Sequence, residues 1–195
     1  NDGVINNLDR VKVGNLFPTV TGGFSTTLGY KDFSLYARFD YALGHTLYND
    51  LAARSLGQYQ GSFNIIDMVK DSWSETNQDT DIPKFYYADQ LSKKNITRSN
   101  NGLTAVDNNS SRFYEKGDYL ALREITLTWN LPKKWINKAL MSNASVYVTG
   151  QNLFYITGYT GVSPEPAVDT TYGQGLDNGR YPTPKTVLLG LSVTF

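Results

Sequence analysis

The chain has 195 residues, eighteen basic and eighteen acidic side chains, a formal net charge of zero and no cysteine. Zero net charge argues against a nucleic-acid binder, which carries a basic stripe, and the missing thiols exclude a disulfide framework, a cysteine zinc site and a thiol nucleophile. Tyrosine (14), phenylalanine (9) and glycine (17) are plentiful, and no run approaches the roughly 18 apolar residues of a membrane-spanning helix, so composition predicts an all-β chain without one. The first residues show no basic stretch leading into an apolar one, the pattern of a signal peptide.

Five segments alternate with period two, the strand signal. In the first, Val20, Phe24 and Leu28 share one face, with Thr19, Thr21, Gly23, Ser25 and Thr27 on the other. The second sets Phe33, Leu35, Ala37, Phe39, Tyr41 and Leu43 against Ser34, Tyr36, Arg38, Asp40 and Gly44. Inside the stretch that follows, Phe63 to Trp73 has helical spacing, with Ile65, Met68, Val69 and Ser72 on one face, and Lys93 to Ser111 reads as a polar loop tip. The third strand opposes Ile125, Leu127, Trp129 and Leu131 to Glu124, Thr126, Thr128 and Asn130. One helical turn is expected over Lys133 to Lys138. The fourth strand, Ala144 to Phe154, alternates less cleanly, with Val146 and Val148 against Ser145, Tyr147, Thr149 and Gln151. The last sets Val187, Leu189, Leu191, Val193 and Phe195 against Leu188, Gly190, Ser192 and Thr194.

The connections carry as much information as the strands. A hairpin-length turn at Tyr30-Lys31-Asp32 is followed by about seventy residues (46–116), a short connector (132–143) and about thirty residues (155–184) rich in Gly, Pro and Tyr. Unstructured loops of that length count against a compact soluble domain, whereas an outer-membrane barrel has short periplasmic turns and long extracellular loops. With Phe195 at the periplasmic end, both long segments fall outside the cell. Aromatics near strand ends (Tyr30, Phe33, Tyr41, Trp129, Phe154, Phe195) suit interfacial girdles. The predicted fold is therefore all-β: the carboxy-terminal strands of a large antiparallel transmembrane β-barrel. Five or six strands cannot close such a barrel, whose smallest form has about eight, so residues 1–195 are expected to be part of a larger barrel domain whose remaining strands and plug lie elsewhere.

Ordered motifs across nearly the whole chain resemble the SusC/RagA-type TonB-dependent transporters. They begin with Asp2-Gly3-Val4-Ile5, Asp9-Arg10, Gly14 and Pro18, and continue through Tyr30-Lys31-Asp32-Phe33-Ser34-Leu35, Trp73, Asn77 and Thr80-Asp81-Ile82-Pro83. The most specific are Gly117-Asp118-Tyr119-Leu120 with Leu122-Arg123, Leu131-Pro132, Val146-Tyr147-Val148, Gly150-Gln151-Asn152-Leu153-Phe154 and Thr157-Gly158-Tyr159. Pro164-Glu165, Tyr181-Pro182 and Gly190-Leu191-Ser192-Val193-Thr194-Phe195 fit the family's ending. The resemblance implies TonB-dependent import of nutrient oligomers, glycans before oligopeptides, across the outer membrane of a Bacteroidota-type Gram-negative cell. It implies as partners a SusD-like surface lipoprotein, the TonB complex acting through the plug, membrane lipid and an oligosaccharide or peptide substrate. The family's opening loop reads Asp-x-Asn-Gly-Asp-Gly; here the chain starts at Asn1-Asp2-Gly3, so the leading acidic ligands of a calcium loop are missing and a plain turn without a cofactor is expected.

Candidate site residues follow from chemistry. His45, the one histidine, is expected at a surface or girdle rather than on a metal, because no second histidine or cysteine accompanies it. The glycine-rich Gly173–Gly179 run lacks the strand–helix context of a phosphate loop, and Glu165, Asp169 and Asp177 have no fixed separation that would support acid–base catalysis. No enzyme is expected. Sugars meet aromatic platforms and planar polar groups: Trp73, Tyr86, Tyr159 and Tyr172 could supply the first, and Asn152, Asp177, Asn178 and Arg180 the second. The same residues could instead pack the loops or meet the lid protein. Two other classes stay open on the residues alone: an outer-membrane enzyme or passive pore, and a soluble β-sandwich carbohydrate-binding module.

Overall fold

The computed structural model describes residues 8, 10–53, 55, 66–85, 111–165, 175–179 and 181–195. They divide into two compact units, one formed by Pro18–Gly44, Gly117–Gly158 and Tyr181–Phe195, the other drawn from Asn1–Phe17, His45–Lys116 and Tyr159–Arg180.

The first unit is one antiparallel sheet. Its strands are β1 (Val20–Tyr30), β2 (Phe33–Leu43), β5 (Tyr119–Asn130), β6 (Asn143–Thr157) and β8 (Thr186–Thr194), in the order β1-β2-β5-β6-β8. The all-β expectation holds, with longer third and fourth strands: β5 starts at Tyr119 rather than Glu124, and β6 runs through Tyr155 to Thr157. The β1–β2 turn is the pair Lys31-Asp32, and α2 (Lys133–Ile136) followed by a 3-10 turn (Asn137–Ala139) fills the β5–β6 connector.

Directly opposed residues lie on the same side of a sheet, so the register identifies the faces. One row runs Leu28, Leu35, Leu127, Val148, Leu189; another runs Phe24, Phe39, Leu122, Phe154. With Val20, Leu43, Leu120, Ile156, Val187 and Leu191 they make one side apolar across all five strands, and most of these side chains are exposed. Phe24 stacks on Phe39 at 5.0 Å. The other side carries Ser25, Thr27, Tyr36, Asp40, Glu124, Thr126, Thr149, Tyr147 and Ser192.

Two bulges interrupt the ladder at the same level. β5 carries one extra residue, Arg123, between its pairings with β2, and β6 carries one extra between its pairings with β5. In β6 the irregularity holds Asn152 at φ 52°, a left-handed conformation that asparagine tolerates better than most residues. This explains the untidy alternation of the fourth segment. At the end where the long segments leave, Gly44 (φ 84°) donates its amide to Asp118 Oδ1 at 2.6 Å, and Thr157 Oγ1 donates to the Asp118 carbonyl at 2.8 Å.

The second unit corrects the expectation of irregular loops. β3 (Thr46–Asn49) pairs antiparallel with β4 (Tyr114–Lys116) and parallel with β7 (Leu176–Asp177). A short helix α1 (Asp50–Ala53) continues β3. Tyr48, Ala53, Ile82 and Phe113 form a core, with Tyr48 edge-on to Phe113 at 6.4 Å. The helix expected from Phe63 to Trp73 is only a 3-10 turn over Asp67–Asp71; residues 63–65 lie outside the described set. The chain leaves the helical course there because the Trp73 amide donates to the Ile82 carbonyl (2.8 Å) and Ser74 and Asn77 exchange backbone bonds. His45 is also corrected: it is 1% exposed, not a surface residue, and its Nε2 donates to the Pro164 carbonyl at 2.9 Å.

Asn152→Ala is expected to cost up to about 1 kcal/mol of barrel stability, because alanine keeps the Cβ penalty of the left-handed region but loses the local polar contacts with which asparagine offsets it, while Asn152→Gly, which has no Cβ to penalise, stays neutral or stabilises. Denaturant unfolding of the whole protein, followed by heat-modifiable gel mobility, checks the ordering.

Candidate functional site

Two carboxylates organise the second unit. Asp177, at the end of β7 and 8% exposed, accepts three bonds: Tyr159 Oη at 2.8 Å and the Val162 amide at 3.1 Å on Oδ2, and the Gly179 amide at 3.0 Å on Oδ1. A carboxylate with three donors satisfies its own desolvation. Burial first, then the bond to Asp177, pushes the Tyr159 phenol well above its ordinary pKa, so it remains a donor. Glu115 on β4 accepts Asn49 Nδ2 at 3.1 Å, the Thr160 amide at 2.9 Å and Thr160 Oγ1 at 2.8 Å. Together these bonds join β3, β4, β7 and residues 159–162.

In the same unit, Met68, Asp71, Gln78, Asp79, Thr80, Asp81 and Ile82 line an open cleft of about 630 Å³. Arg112 holds one of these residues, bonding the Asp81 carbonyl at 2.7 Å and its Oδ2 at 3.2 Å. Trp73 is 37% exposed, and Lys84 Nζ lies 5.5 Å from its ring centroid.

The polar side of the first unit carries a second cluster. Arg123, lifted out by the β5 bulge, donates from Nε to Asp40 Oδ2 at 3.0 Å and from a terminal nitrogen to Tyr155 Oη at 3.3 Å. Thr126 and Thr149 share a hydroxyl bond of 2.8 Å in the next row. Such partly exposed ion pairs contribute at most about 1 kcal/mol, so the cluster acts by fixing charge and planar donors at one level of the polar face.

The structure brings Tyr159 and Asp177 together but commits them to each other. It leaves Asn178 exposed beside them and places Asn152 at the β6 bulge, with Nδ2 3.5 Å from the Pro184 carbonyl. Trp73 belongs to the second unit and Asn152 to the first. Tyr86, Tyr172, Arg180 and the Asn1-Asp2-Gly3 segment lie outside the described residues. Sequence reasoning missed Glu115, Thr160, Arg123, Asp40 and Tyr155 as site residues. The first pair is 45 positions apart and the Arg123–Asp40 pair 83, with no local pattern to join them.

Tyr159→Phe should weaken the second unit by about 1–2 kcal/mol, the cost of leaving a buried acceptor short of a donor. Amide hydrogen exchange would speed at Val162 and Gly179 and stay unchanged in β5. A raised phenol contributes stability that is fully present below the ordinary tyrosine pKa of about 10 and lost as pH rises beyond it. The wild-type minus Tyr159→Phe absorbance titration should therefore begin only above that pH.

No protein-family model matches the chain. TonB-dependent receptor P26 of Formosa agariphila is 32% identical over 201 residues, covering 100% of this chain and 19% of that receptor. The TonB-dependent receptor SusC of Bacteroides thetaiotaomicron is 33% identical over 87 residues, 44% of this chain and 8% of SusC. Among solved structures, the RagAB peptide importer in its 'closed-closed' state superposes with a TM-score of 0.67 at 26% identity, over 92% of this chain and 18% of that one. The chain thus spans about a fifth of the length of the first of these relatives. In sequence and in fold it agrees with these proteins: it belongs to the SusC/RagA-type TonB-dependent receptors.

Proposed function

We propose that this chain is part of the wall and outer loops of an outer-membrane importer that takes up nutrient oligomers, driven by the TonB complex and working with a SusD-like surface lipoprotein. The observation that carries the reading is the apolar face, kept continuous over five strands through two bulges while the opposite face stays polar. Hydrocarbon on one side and a wet lumen on the other is the environment that such a sheet fits. Among the described residues, the outer edges of β1 and β8 have no strand partner. Unpaired backbone in lipid costs several kcal/mol per group, so further strands of the same protein complete the wall. In this reading residues 46–116 and 155–184 supply the extracellular loops, and the segment needs no cofactor.

The protein is a transporter rather than an enzyme or a passive pore, consistent with the receptors and importer it resembles. The family resemblance favours glycan cargo. A second reading, oligopeptide, is favoured by one observation: solved structures similar to the chain are of the RagAB peptide importer.

Two measurements test this. Leu127→Arg, at the middle of the apolar face, should cost about 2–4 kcal/mol of barrel stability and reduce assembly, whereas Thr27→Arg on the polar face should cost little. Equal effects would sink the membrane-wall assignment. In cells, uptake of labelled oligosaccharides and of labelled oligopeptides should each be measured with and without a functional TonB complex. One of the two is expected to depend on TonB; uptake that persists without TonB would mark a passive pore.

A further inference from the structure

The two ends of the sheet differ in chemistry. At the end where β1 turns into β2 and β5 into β6, the turn and the connector lie side by side. The Asn130 amide donates to the Asp32 carbonyl at 2.8 Å, Phe33 stacks on Trp129 at 6.1 Å, and Trp135 meets Trp129 edge-on at 5.9 Å. Four exposed lysines, Lys31, Lys133, Lys134 and Lys138, gather here against, among the described residues, a single acidic side chain, Asp32; the segment 130–142 contains no acidic side chain. Among the lysines stand exposed rings. Tyr30 is 71% and Trp135 55% accessible, and Lys31 Nζ lies 5.3 Å from the Tyr30 ring centroid.

The backbone adds an independent observation. Of three non-glycine residues with positive φ among those described, two are here: Lys31 at 51° and Leu140 at 56°. Both occupy positions, a tight turn and a helix C-terminus, where glycine is the default because a Cβ is penalised. A lysine and a leucine that is 88% exposed stand there instead. Both side chains are exposed, so burial in the sheet does not account for a side chain at either position.

Resting on the reading of the apolar face as lipid-facing, we infer that this end of the sheet binds anionic phospholipid headgroups. Phe33 and Trp129 belong to the apolar face, so the basic, aromatic end is its direct continuation rather than a separate patch. Tyrosine and tryptophan settle where headgroups meet acyl chains. Lysine stems lie along apolar surface while their ammonium groups reach the phosphates. An excess of lysines over acidic side chains selects anionic over zwitterionic lipid. Trp135 and Leu140 would seat in the boundary region, with Lys133, Lys134 and Lys138 on the phosphate oxygens and Lys31 doing the same from the neighbouring turn.

The test uses the whole protein, purified in detergent and mixed with phosphatidylglycerol or phosphatidylethanolamine of matched acyl chains, with retained lipid counted by native mass spectrometry. Wild type should retain phosphatidylglycerol in preference. The triple variant K133Q/K134Q/K138Q should lose at least about tenfold of that retention, since each lysine contributes about fivefold at an anionic surface, with phosphatidylethanolamine unchanged. The K133R/K134R/K138R variant should keep it. Heat-modifiable mobility shows that each variant is folded. Equal retention of both lipids by wild type, or undiminished phosphatidylglycerol on the folded glutamine variant, overturns the inference. So does a periplasmic protein crosslinking to this end in place of lipid. Failure of wild type to insert into bilayers of either lipid would instead sink the membrane-wall reading itself; insertion without lipid preference leaves that reading standing and removes only this one.

Discussion

Side-chain parity is the constraint on which this structure depends. In a strand every second residue faces the same way, so one inserted residue sends all that follow to the other side. In β5 the apolar positions are Ile125, Leu127 and Trp129 on one side of the bulge and Leu120 and Leu122 on the other. Odd numbers become even across Arg123. Had β5 run without interruption, Arg123 would continue the odd series and point into the apolar face, where an arginine at mid-bilayer costs about 2–4 kcal/mol. The bulge instead places Arg123 and Glu124 both on the polar side, and the Arg123 guanidinium reaches Asp40 and Tyr155 there. β6 sets two residues, Asn152 and Leu153, opposite Arg123 alone and so gains two over β2; two insertions restore the parity, and Val146 and Val148 before them and Phe154 and Ile156 after them all stay on the apolar side. Neighbouring bulges bend both strands together, so the same local feature that corrects parity also shapes the wall.

How much of this was legible in the sequence depends on the range of the interaction. Strands β1, β2 and β8 could be read directly, because period-two alternation is a property of adjacent residues. The start of β5 could not: Tyr119 to Leu122 is in phase with itself but out of phase with Ile125 to Trp129, and a single-period reading sees the break as the strand's beginning. The fourth segment showed its irregularity as poor alternation, and the cause, Asn152 in a left-handed conformation, becomes visible only from the backbone. The second unit was the least legible. Its core joins Tyr48 to Phe113 and Ile82, and β3 finds β4 and β7 far along the chain. Such pairings leave no periodic trace, so the segments looked like irregular loops. His45 was misplaced for the same reason, since its acceptor, the Pro164 carbonyl, is 119 positions away.

The carboxylates of the second unit show why residue type alone is a weak guide to ligand contact. Asp177 and Tyr159 have the chemistry that oligomer recognition uses, a planar acceptor and an aromatic hydroxyl. They spend it on one another and on the Val162 and Gly179 amides. Glu115 does likewise with Thr160 and Asn49. A segment that must hold a defined shape without a large apolar core needs such internal bonds, because each buried carboxylate fixes several donors at once. The more exposed groups of the unit are others, such as Asn178, Trp73 and the acidic rim of the cleft at Asp71 and Asp79.

The remaining asymmetry lies between the two ends of the sheet. Where the long segments leave, the strand ends are fastened by specific hydrogen bonds: Asp118 accepts from Gly44 through its side chain and from Thr157 through its carbonyl. At the opposite end a two-residue turn and one short helical connector close the strands, with stacked rings between them. A short connection needs little of its own side chains to stay folded, since its backbone is held by the ladder on either side. Its residues are then free to be chosen for what they meet. The left-handed lysine and leucine follow from that freedom: the turn and the helix end tolerate a backbone penalty because the flanking strands over-determine their geometry. At the loop end, by contrast, the left-handed position belongs to Gly44, and there the side chains of Asp118 and Thr157 are occupied in holding the strands.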